Sequence, residues 1–535
     1  MKKKVMFFKA IVLLQIIGTS LFAQGNKGFE LLKRDKISEA RKFFISEMNS
    51  KPQDPKVYFD LGSFYLKLNN TDSAQIYFKK GTEIAPADLN CQLGMGAIYA
   101  IKGNLGEALK VERVLGIDKT KNIDWVLFML DAWIKSPNAP EGKIDGLLTR
   151  AKEINKANPN IYLVKANLSI KNQKAGETAN DYEMAIYFDS TNVEANSKLG
   201  DIYAAVKNKE QSIKAYLRAI KKDSTFPPAL RGLGELYYDY GNYAKSAFIY
   251  GKYIENGEIN TKELQKFGTI LYFSKDYAKS IDVLSKIKGD NENFVLKRII
   301  GYDQFELKDY ANSLNSLKQF FALVKDKSKI LYTDYEYYGK SLAKNAMDSL
   351  AIENFMMAMK IDSSKTGIYE NIAQSYQKQK KYLLAVEYFE KLIKSRTTPL
   401  PSDFYQFGLV NYYAAVNSTD TVLKSKLLIQ ADTAFGSFIS LNSKSQLGYL
   451  SRARVNSQID TETTKGLAKP YYEKVVEICS ADPVKFKKEL IESYQYMGFY
   501  YYVNKDNATS KSFWQKVLEL DPADTKALDA MKGIK

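Results

Sequence analysis

The sequence predicts an all-α chain built from repeated helical hairpins. A small residue, flanked by large aromatic or aliphatic residues that can pack between two helices, recurs along the chain, most often at a spacing of 34 residues. The chain has 535 residues, of which 45% are hydrophobic and 26% charged, so its composition is that of a folded protein. Such a period predicts one array in which each repeat contacts its neighbours, instead of three or four separate globular domains.

The clearest copy of the repeat lies within residues 58–86. Its first half places large apolar residues around a glycine, and its second half places a small residue four positions before an aromatic one. Two helices that cross closely need small residues at the crossing and large ones along the seam. The residues that carry this pattern are Tyr58, Leu61, Gly62, Tyr65, Ala74, Phe78, Gly81 and Pro86.

This pattern resembles the tetratricopeptide repeat, in which W-x2-L-G-x2-Y precedes A-x3-F-x2-A and a closing proline. The resemblance implies a right-handed α-solenoid of stacked helix-turn-helix repeats. With Gly62 as position 8, we count about fourteen repeats when degenerate copies are included. The residues at position 8 are Gly62, Gly96, Gly200, Gly234, Gly268, Gly301, Gly339, Ala373, Gly408 and Gly498.

The first element in the chain is a predicted secretory signal peptide at residues 1–23. Three lysines form a positive end, an apolar stretch follows, and small residues lead to a predicted cleavage point between Ala23 and Gln24. An uncleaved signal anchor stays open as an alternative, although Lys9 interrupts the apolar run. The expected location is the periplasm, or another exported compartment, of a Gram-negative bacterium.

After the leader, the repeats fall into four predicted segments. An N-terminal array covers residues 24–119, two irregular hairpins cover 120–192, and a central array covers 193–395. A run rich in Pro, Ser and Thr at 395–403 interrupts the rhythm. A C-terminal array with longer loops and a terminal capping helix covers 396–535.

The composition argues against several classes of function. Without histidine, there is no Ser-His-Asp triad and no imidazole metal ligand, and two cysteines cannot build a four-thiolate zinc site. We therefore predict no catalytic residues, no metal site and no cofactor, with a carboxylate enzyme in residues 116–160 as a distant alternative. The net charge of +17 comes largely from lysine, which favours a solvated surface over a nucleic-acid interface. We also expect no membrane span after removal of the leader.

The resemblance implies that the first helices line a groove that holds peptides or partner domains. Positions 2, 5, 9 and 12 of each first helix face this groove, and Tyr with Arg is typical of interaction hot spots. The alternative is an ordinary solvated helix face. We thus predict a non-catalytic exported scaffold for protein or peptide partners, with envelope or outer-membrane assembly as its task. The predicted partner-binding residues are Arg231, Glu235, Tyr238, Gln265, Tyr272, Arg298, Tyr302, Phe305, Glu336, Lys340, Glu370 and Gln374.

Two further interpretations stay open. Tyrosine runs at 237–238, 412–413 and 500–502 suit a glycan- or peptidoglycan-binding periplasmic module, although filling of the helical seam is the simpler explanation. Asp-Ser and Asp-Thr steps suit helix capping, and they also resemble an O-glycosylation sequon of one group of Gram-negative bacteria. The hydroxyl residues in these steps are Ser73, Ser190, Ser224, Ser349, Thr421 and Thr433.

Overall fold

The computed structural model describes residues 26–288 and 293–534. Within these ranges it has 29 α-helices, a short 3-10 turn and no strand. The helices pair in chain order into fourteen antiparallel hairpins, followed by one last helix. This confirms the predicted all-α array of about fourteen helical repeats. The predicted leader, with Ala23 and Gln24 at its cleavage point, lies outside the described residues.

The chain divides into two compact units, residues 1–290 and 291–535. Unit 1 contains eight hairpins, in which odd-numbered helices come first and even-numbered helices second. Its helices are α1 (Lys27–Lys33), α2 (Ile37–Ser50), α3 (Pro55–Lys67), α4 (Thr71–Ile84), α5 (Leu89–Ile101), α6 (Leu105–Leu115), α7 (Ile123–Lys135), α8 (Lys143–Asn155), α9 (Pro159–Lys171), α10 (Ala175–Phe188), α11 (Val193–Ala205), α12 (Lys209–Lys222), α13 (Pro227–Asp239), α14 (Tyr243–Asn256), α15 (Thr261–Phe273) and α16 (Tyr277–Ser285).

Unit 2 contains six hairpins and the last helix. Its helices are α17 (Phe294–Glu306), α18 (Tyr310–Leu323), α19 (Tyr332–Lys344), α20 (Asp348–Ile361), α21 (Ile368–Lys378), α22 (Tyr382–Ser395), α23 (Pro401–Val416), α24 (Thr421–Leu441), α25 (Gln446–Ile459), α26 (Lys469–Cys479), α27 (Lys487–Val503), α28 (Asn507–Leu520) and α29 (Thr525–Gly533). Helix α24 is the longest, with 21 residues. No described helix has the length and apolar character that crossing a bilayer requires.

The two helices of a hairpin can cross only because position 8 is small. A Cβ atom built on Gly62 would lie 2.5 Å from the ring of Phe78, and one on Gly200 would lie 2.6 Å from the ring of Tyr216. Both rings are buried at position 24 of their repeats. The glycine at position 8 and the aromatic residue sixteen positions later are therefore two halves of one packing contact.

Serine at position 20 adds a hydrogen bond to the same crossing. The Oγ of Ser246 donates to the carbonyl oxygen of Gly234 at 2.7 Å, so a side chain of the second helix bonds the backbone of the first. The sequence predicted only that position 20 must be small. The same bond forms from Ser212 to Gly200, from Ser280 to Gly268, from Ser313 to Gly301 and from Ser510 to Gly498.

The turn between the two helices also repeats. One residue in it takes the left-handed conformation, as at Lys207 with φ 61° and Gly241 with φ 72°. The next residue then donates its N–H back to the end of the first helix, as from Asn208 to Tyr203 at 2.8 Å. This geometry is the usual helix C-cap, which glycine adopts without strain, and other hairpins place Asn69, Gln173 or Ala346 at the same point.

The two segments that break the sequence rhythm are ordered in different ways. Residues 120–192 contain two complete hairpins, α7–α8 and α9–α10. The run at 395–403 lies inside unit 2, where Arg396 Nη1 lies 2.5 Å from both carboxylate oxygens of Asp403. Asp403 also accepts the N–H of Leu400 at 2.7 Å, so this connection is fixed to the start of α23.

Candidate partner-binding surface

In unit 1, the first-helix positions that the sequence assigns to an open groove are largely filled. Leu66 in α3 and Ala97 and Ala100 in α5 are buried. The rings of Phe59 in α3 and Phe128 in α7 lie 5.7 Å apart between centroids, although a whole hairpin separates them in the chain. The inner side of the early hairpins is therefore filled by packed side chains, including the largely buried charged pair of Lys135 and Asp131.

Further along unit 1, this inner side becomes charged. Lys198 in α11 pairs with Glu194 at 3.2 Å. Asp201 accepts a hydrogen bond from the hydroxyl of Tyr216 at 2.5 Å, and burial raises the pKa of Asp201 to about 6. Burial also raises the pKa of Glu235 above its usual range, because a charged carboxylate is poorly solvated there.

The turn of the first hairpin contacts this charged region from the other end of unit 1. Asp35 in that turn accepts from Arg231 Nη2 at 3.0 Å. Arg231 and Glu235 were predicted to face an open groove, and here the structure differs from the prediction. Because the first hairpin contacts the seventh, Arg231 pairs with Asp35 inside unit 1, and both Arg231 and Glu235 are half-buried.

Three other predicted residues of unit 1 are half-buried along α13 and α15. The ammonium of Lys266 lies 4.2 Å from the ring centroid of Tyr238, and burial raises the pKa of that tyrosine. The ring of Tyr272 meets that of Phe273 edge-on, with centroids 5.1 Å apart. Gln265 lies on α15, the helix that also carries Tyr272. These residues therefore offer only part of their surface to a partner.

In unit 2, Arg298 and Tyr302 connect neighbouring hairpins. Arg298 donates to both oxygens of the fully buried Asp334, at 2.7 and 2.8 Å. The hydroxyl of Tyr302 donates to the same carboxylate at 2.5 Å, and its ring stacks on Tyr337. Tyr302 is only 5% exposed, so the expectation that it faces a partner is wrong. The ring of Phe305 packs beside Tyr337 as well, with centroids 5.5 Å apart.

From α19 onward, the first-helix face reaches solvent. Lys340 at position 9 pairs with Glu336 at position 5, 2.6 Å apart, and both side chains remain partly exposed. One repeat later, the exposed Gln374 donates to Glu370 at 3.2 Å. Glu370 also pairs with Arg396 at 3.8 Å, after the end of α22, while the other three predicted residues form their bonds within their own helices.

Sequence reasoning missed the C-terminal continuation of this face. Arg454 directly follows the fully buried Ala453, as Lys340 follows Gly339, so it occupies position 9 of its repeat. It forms a bidentate pair with Glu492 at 2.8 and 2.6 Å. Longer loops and an alanine in place of glycine hid this register, because the buried Tyr472 at position 24 lies nineteen residues after Ala453 instead of sixteen.

The same face ends in two exposed aromatic rings on α27. Phe499 is 45% exposed and Tyr502 is 48% exposed, at positions 9 and 12 of the last repeat. We call the set of open first-helix residues the unit 2 face. It consists of Glu336, Lys340, Glu370, Gln374, Arg454, Phe499 and Tyr502.

Most residues of the tyrosine runs pack against neighbouring rings. Tyr413 stacks on Tyr382 with centroids 5.7 Å apart, and Tyr501 stacks on Phe513 at 5.6 Å. Within residues 26–288 and 293–534, no group of three or more acidic or thiol side chains could hold a metal ion. Cys91 and Cys479 are free thiols, each buried in its own unit.

The aspartates of the Asp-Ser and Asp-Thr steps mostly accept backbone N–H groups in turns and helix caps. Asp189 and Asp223 accept the N–H of the residue two positions later, at 3.0 and 2.9 Å, and Asp420 caps α24. Asp432 instead lies in the middle of α24, where it pairs with Arg452 of α25 at 2.8 Å. Five of the hydroxyl residues in these steps are exposed, namely Ser190, Ser224, Ser349, Thr421 and Thr433, and Ser73 is half-buried.

Comparison with known proteins gives the family. The family model of the tetratricopeptide repeat matches residues 55–88, 193–225 and 366–398. The C-terminal part of a TPR repeat-containing protein from Cytophaga hutchinsonii is 32% identical, over 50% of this chain and 99% of that chain, with a TM-score of 0.43. The chain belongs to the tetratricopeptide repeat family. The three matches of this TPR protein coincide with hairpins α3–α4, α11–α12 and α21–α22.

Other solved TPR-like structures are more distant. Yeast Tom70 is 15% identical over 75% of this chain and 97% of its own, with a TM-score of 0.29. MamA from Desulfovibrio magneticus is 16% identical over 32% of this chain and 94% of its own, with a TM-score of 0.29. Among curated protein sequences, none matches this TPR protein.

Proposed function

We propose that this TPR protein is a non-catalytic, exported scaffold that binds a protein or peptide partner through the unit 2 face. One contrast supports the proposal. First-helix positions 9 and 12 are buried in the early hairpins of unit 1, as at Ala97 and Ala100, whereas Gln374 and Phe499 at position 9 in unit 2 are exposed. Phe499 and Tyr502, three residues apart on one helix, are both exposed, and an exposed apolar pair favours a role in binding.

The chemistry of the unit 2 face suggests the kind of partner. Its charges are already compensated, since Lys340 pairs with Glu336 and Arg454 pairs with Glu492. Aromatic and arginine side chains carry most of the energy in protein interfaces. We therefore expect the partner to supply a segment with an apolar side chain that packs between Phe499 and Tyr502. The same segment should carry polar groups that form hydrogen bonds with the charged pairs.

Site-specific photo-cross-linking in the native envelope tests this function. A photoreactive amino acid is placed at Gln374 or Phe499, and at Leu350 or Leu383 as controls, which are exposed apolar residues on the second helices α20 and α22. We expect the two first-helix positions to form an adduct with one and the same protein, and the two controls to form none. Equal adducts at all four positions would remove the support for this surface.

Export rests on the predicted leader at residues 1–23. We propose cleavage between Ala23 and Gln24 and a location outside the cytoplasm, where envelope or outer-membrane components would be the available partners. N-terminal sequencing of the protein recovered from its native host tests this. A first residue of Gln24 is the expected result, and an intact Met1 in the cytoplasmic fraction would contradict it.

A further inference from the structure

The turn of the first hairpin forms contacts that the repeat pattern does not require. Arg34 forms an ion pair with Asp223, and its Nη2 donates to the carbonyl oxygen of Thr225 at 2.7 Å. These partners lie 189 and 191 residues later in the chain. Neighbouring repeats alone stabilise a TPR array, so a contact between the first hairpin and the α12–α13 turn calls for a separate explanation.

Two more contacts extend the same junction. Asp35 accepts from Arg231, and Ser38 donates its N–H and its hydroxyl to the carboxylate of Glu258 at 2.7 and 2.5 Å. We call Arg34, Asp35 and Ser38 the latch. We call the residues that receive it the seat, and these are Asp223, Thr225, Arg231 and Glu258.

The junction is polar, whereas the first hairpin is otherwise held by apolar contacts. The core that buries Phe29 and Phe44 of the first hairpin also includes Phe64 of the second hairpin and no residue of α12, α13 or α14. The ion pairs of the latch are partly exposed. Partly exposed pairs are weak and are screened by salt, so the junction is suited to open while the first hairpin stays folded.

The first hairpin also lines two open clefts inside unit 1. One of about 260 Å³ is lined by Lys33, Arg34, Asp223 and Phe226, and one of about 90 Å³ is lined by Lys33, Asp35, Ser197 and Phe226. The Oγ of Ser197 is buried and has no hydrogen-bond partner among the described residues. Each cleft has the first hairpin as one wall, so movement of that hairpin would widen both.

We propose that the first hairpin is a reversible electrostatic latch that closes unit 1 on itself. Closed, the latch occupies the seat and narrows both clefts. Open, it exposes Arg231 together with Asp223 and Glu258. The seat then suits a segment of the same chemistry as the latch, with an arginine followed by an aspartate and a nearby hydroxyl. This device concerns unit 1 and does not depend on binding at the unit 2 face.

Distance measurement by spin labels in the full chain tests the latch. Cysteines for labelling replace Lys42 on α2 and Ala244 on α14, which are both exposed. The native Cys91 and Cys479 are buried and remain unlabelled. At about 0.05 M salt we expect one short, narrow distance distribution, and at about 1 M salt, where the screening length is about 3 Å, a longer and broader one.

Charge reversal separates the latch from general effects on folding. Arg34→Glu and Asp223→Arg should each lengthen and broaden the distribution at low salt, and the double variant should restore the short distance. Arg41→Glu, on the exposed side of the same hairpin, should leave it unchanged. Restoration cannot arise from an unfolded hairpin, so the double variant keeps the test valid if a single variant folds poorly.

A variant of the seat completes the test. Glu258→Gln changes no residue of the first hairpin and should shift the distribution in the same direction, to a smaller extent, because a neutral acceptor remains for Ser38. An unchanged distribution in both Arg34→Glu and Glu258→Gln would overturn the latch. Failure of Arg34→Glu with Asp223→Arg to restore the short distance would overturn the assigned pair.

Discussion

At the scale of single residues, the contact between positions 8 and 24 determines whether a hairpin closes. Tyr216 is almost fully buried against Gly200, and its hydroxyl still reaches Asp201 at 2.5 Å. The Tyr216 side chain thus fills the helix crossing with its ring, and its hydroxyl forms a hydrogen bond with Asp201 on the inner side of unit 1. A residue at this crossing affects stability through packing, while a residue on the inner side affects it through charge.

Gly200→Ala should destabilise unit 1 by about 1–3 kcal/mol, because the new Cβ would overlap the Tyr216 ring. The matched control is Gly176→Ala on α10, where no atom lies within 4 Å of the added Cβ. That control should stabilise the protein by about 0.5–1 kcal/mol, since alanine favours the helix. Chemical denaturation measures both changes, and a loss of stability for both variants alike would contradict the packing explanation.

Asp201→Asn should stabilise unit 1 above pH 6. Burial raises the pKa of Asp201 from 3.8 to about 6, so the folded state disfavours its charged form. Stability from this group therefore falls as pH rises from about 4 to 6, and the cost persists at higher pH. Unfolding free energies at pH 4 and pH 7.5 measure it. We expect the variant to gain more at pH 7.5, and an equal gain at both values would contradict the assigned cause.

At the scale of helices, ion pairs of two kinds connect neighbouring hairpins. The Arg298–Asp334 pair is buried and joins α17 to the start of α19. The Arg454–Glu492 pair is partly exposed and joins α25 to α27. Both contain arginine on a first helix, yet only the second leaves its arginine accessible to a partner.

Arg298→Ala should cost about 3–5 kcal/mol of unit 2 stability, because it leaves the fully buried Asp334 without its charge partner. Arg454→Ala removes a pair of similar geometry and should cost only about 0–1 kcal/mol, because solvent replaces the lost contacts. Thermal unfolding of both variants provides the comparison. Similar losses would contradict the distinction between a structural and an accessible arginine.

The sequence could predict the elements but could not decide which side chains remain open. The spacing of Gly62, Gly96 and their successors predicts the regular hairpins, because local packing sets it. The burial of Tyr302 depends on Asp334 in the next hairpin, and that of Arg231 depends on Asp35, 196 residues earlier. Such contacts follow from the angles between hairpins, which the repeat pattern leaves undetermined.

At the scale of the whole molecule, the chain forms two compact units with their own cores. Unit 1 has its largest core between Phe59 and Ala215, and unit 2 has separate cores around Phe355, Phe435 and Trp514. We expect residues 24–290 and 291–535 to fold when produced separately. Circular dichroism and cooperative unfolding of each piece measure this, and a piece without helical signal would contradict the division.

The central claim is that a partner binds the first helices of unit 2, and its most direct test is an affinity measurement. Calorimetry with the cross-linked partner compares Phe499→Ala and Arg454→Ala with the second-helix controls Leu350→Ala and Leu383→Ala. We expect at least a tenfold loss of affinity, about 1.4 kcal/mol, for each first-helix variant and none for the controls. Unchanged affinity in both first-helix variants would contradict the claim.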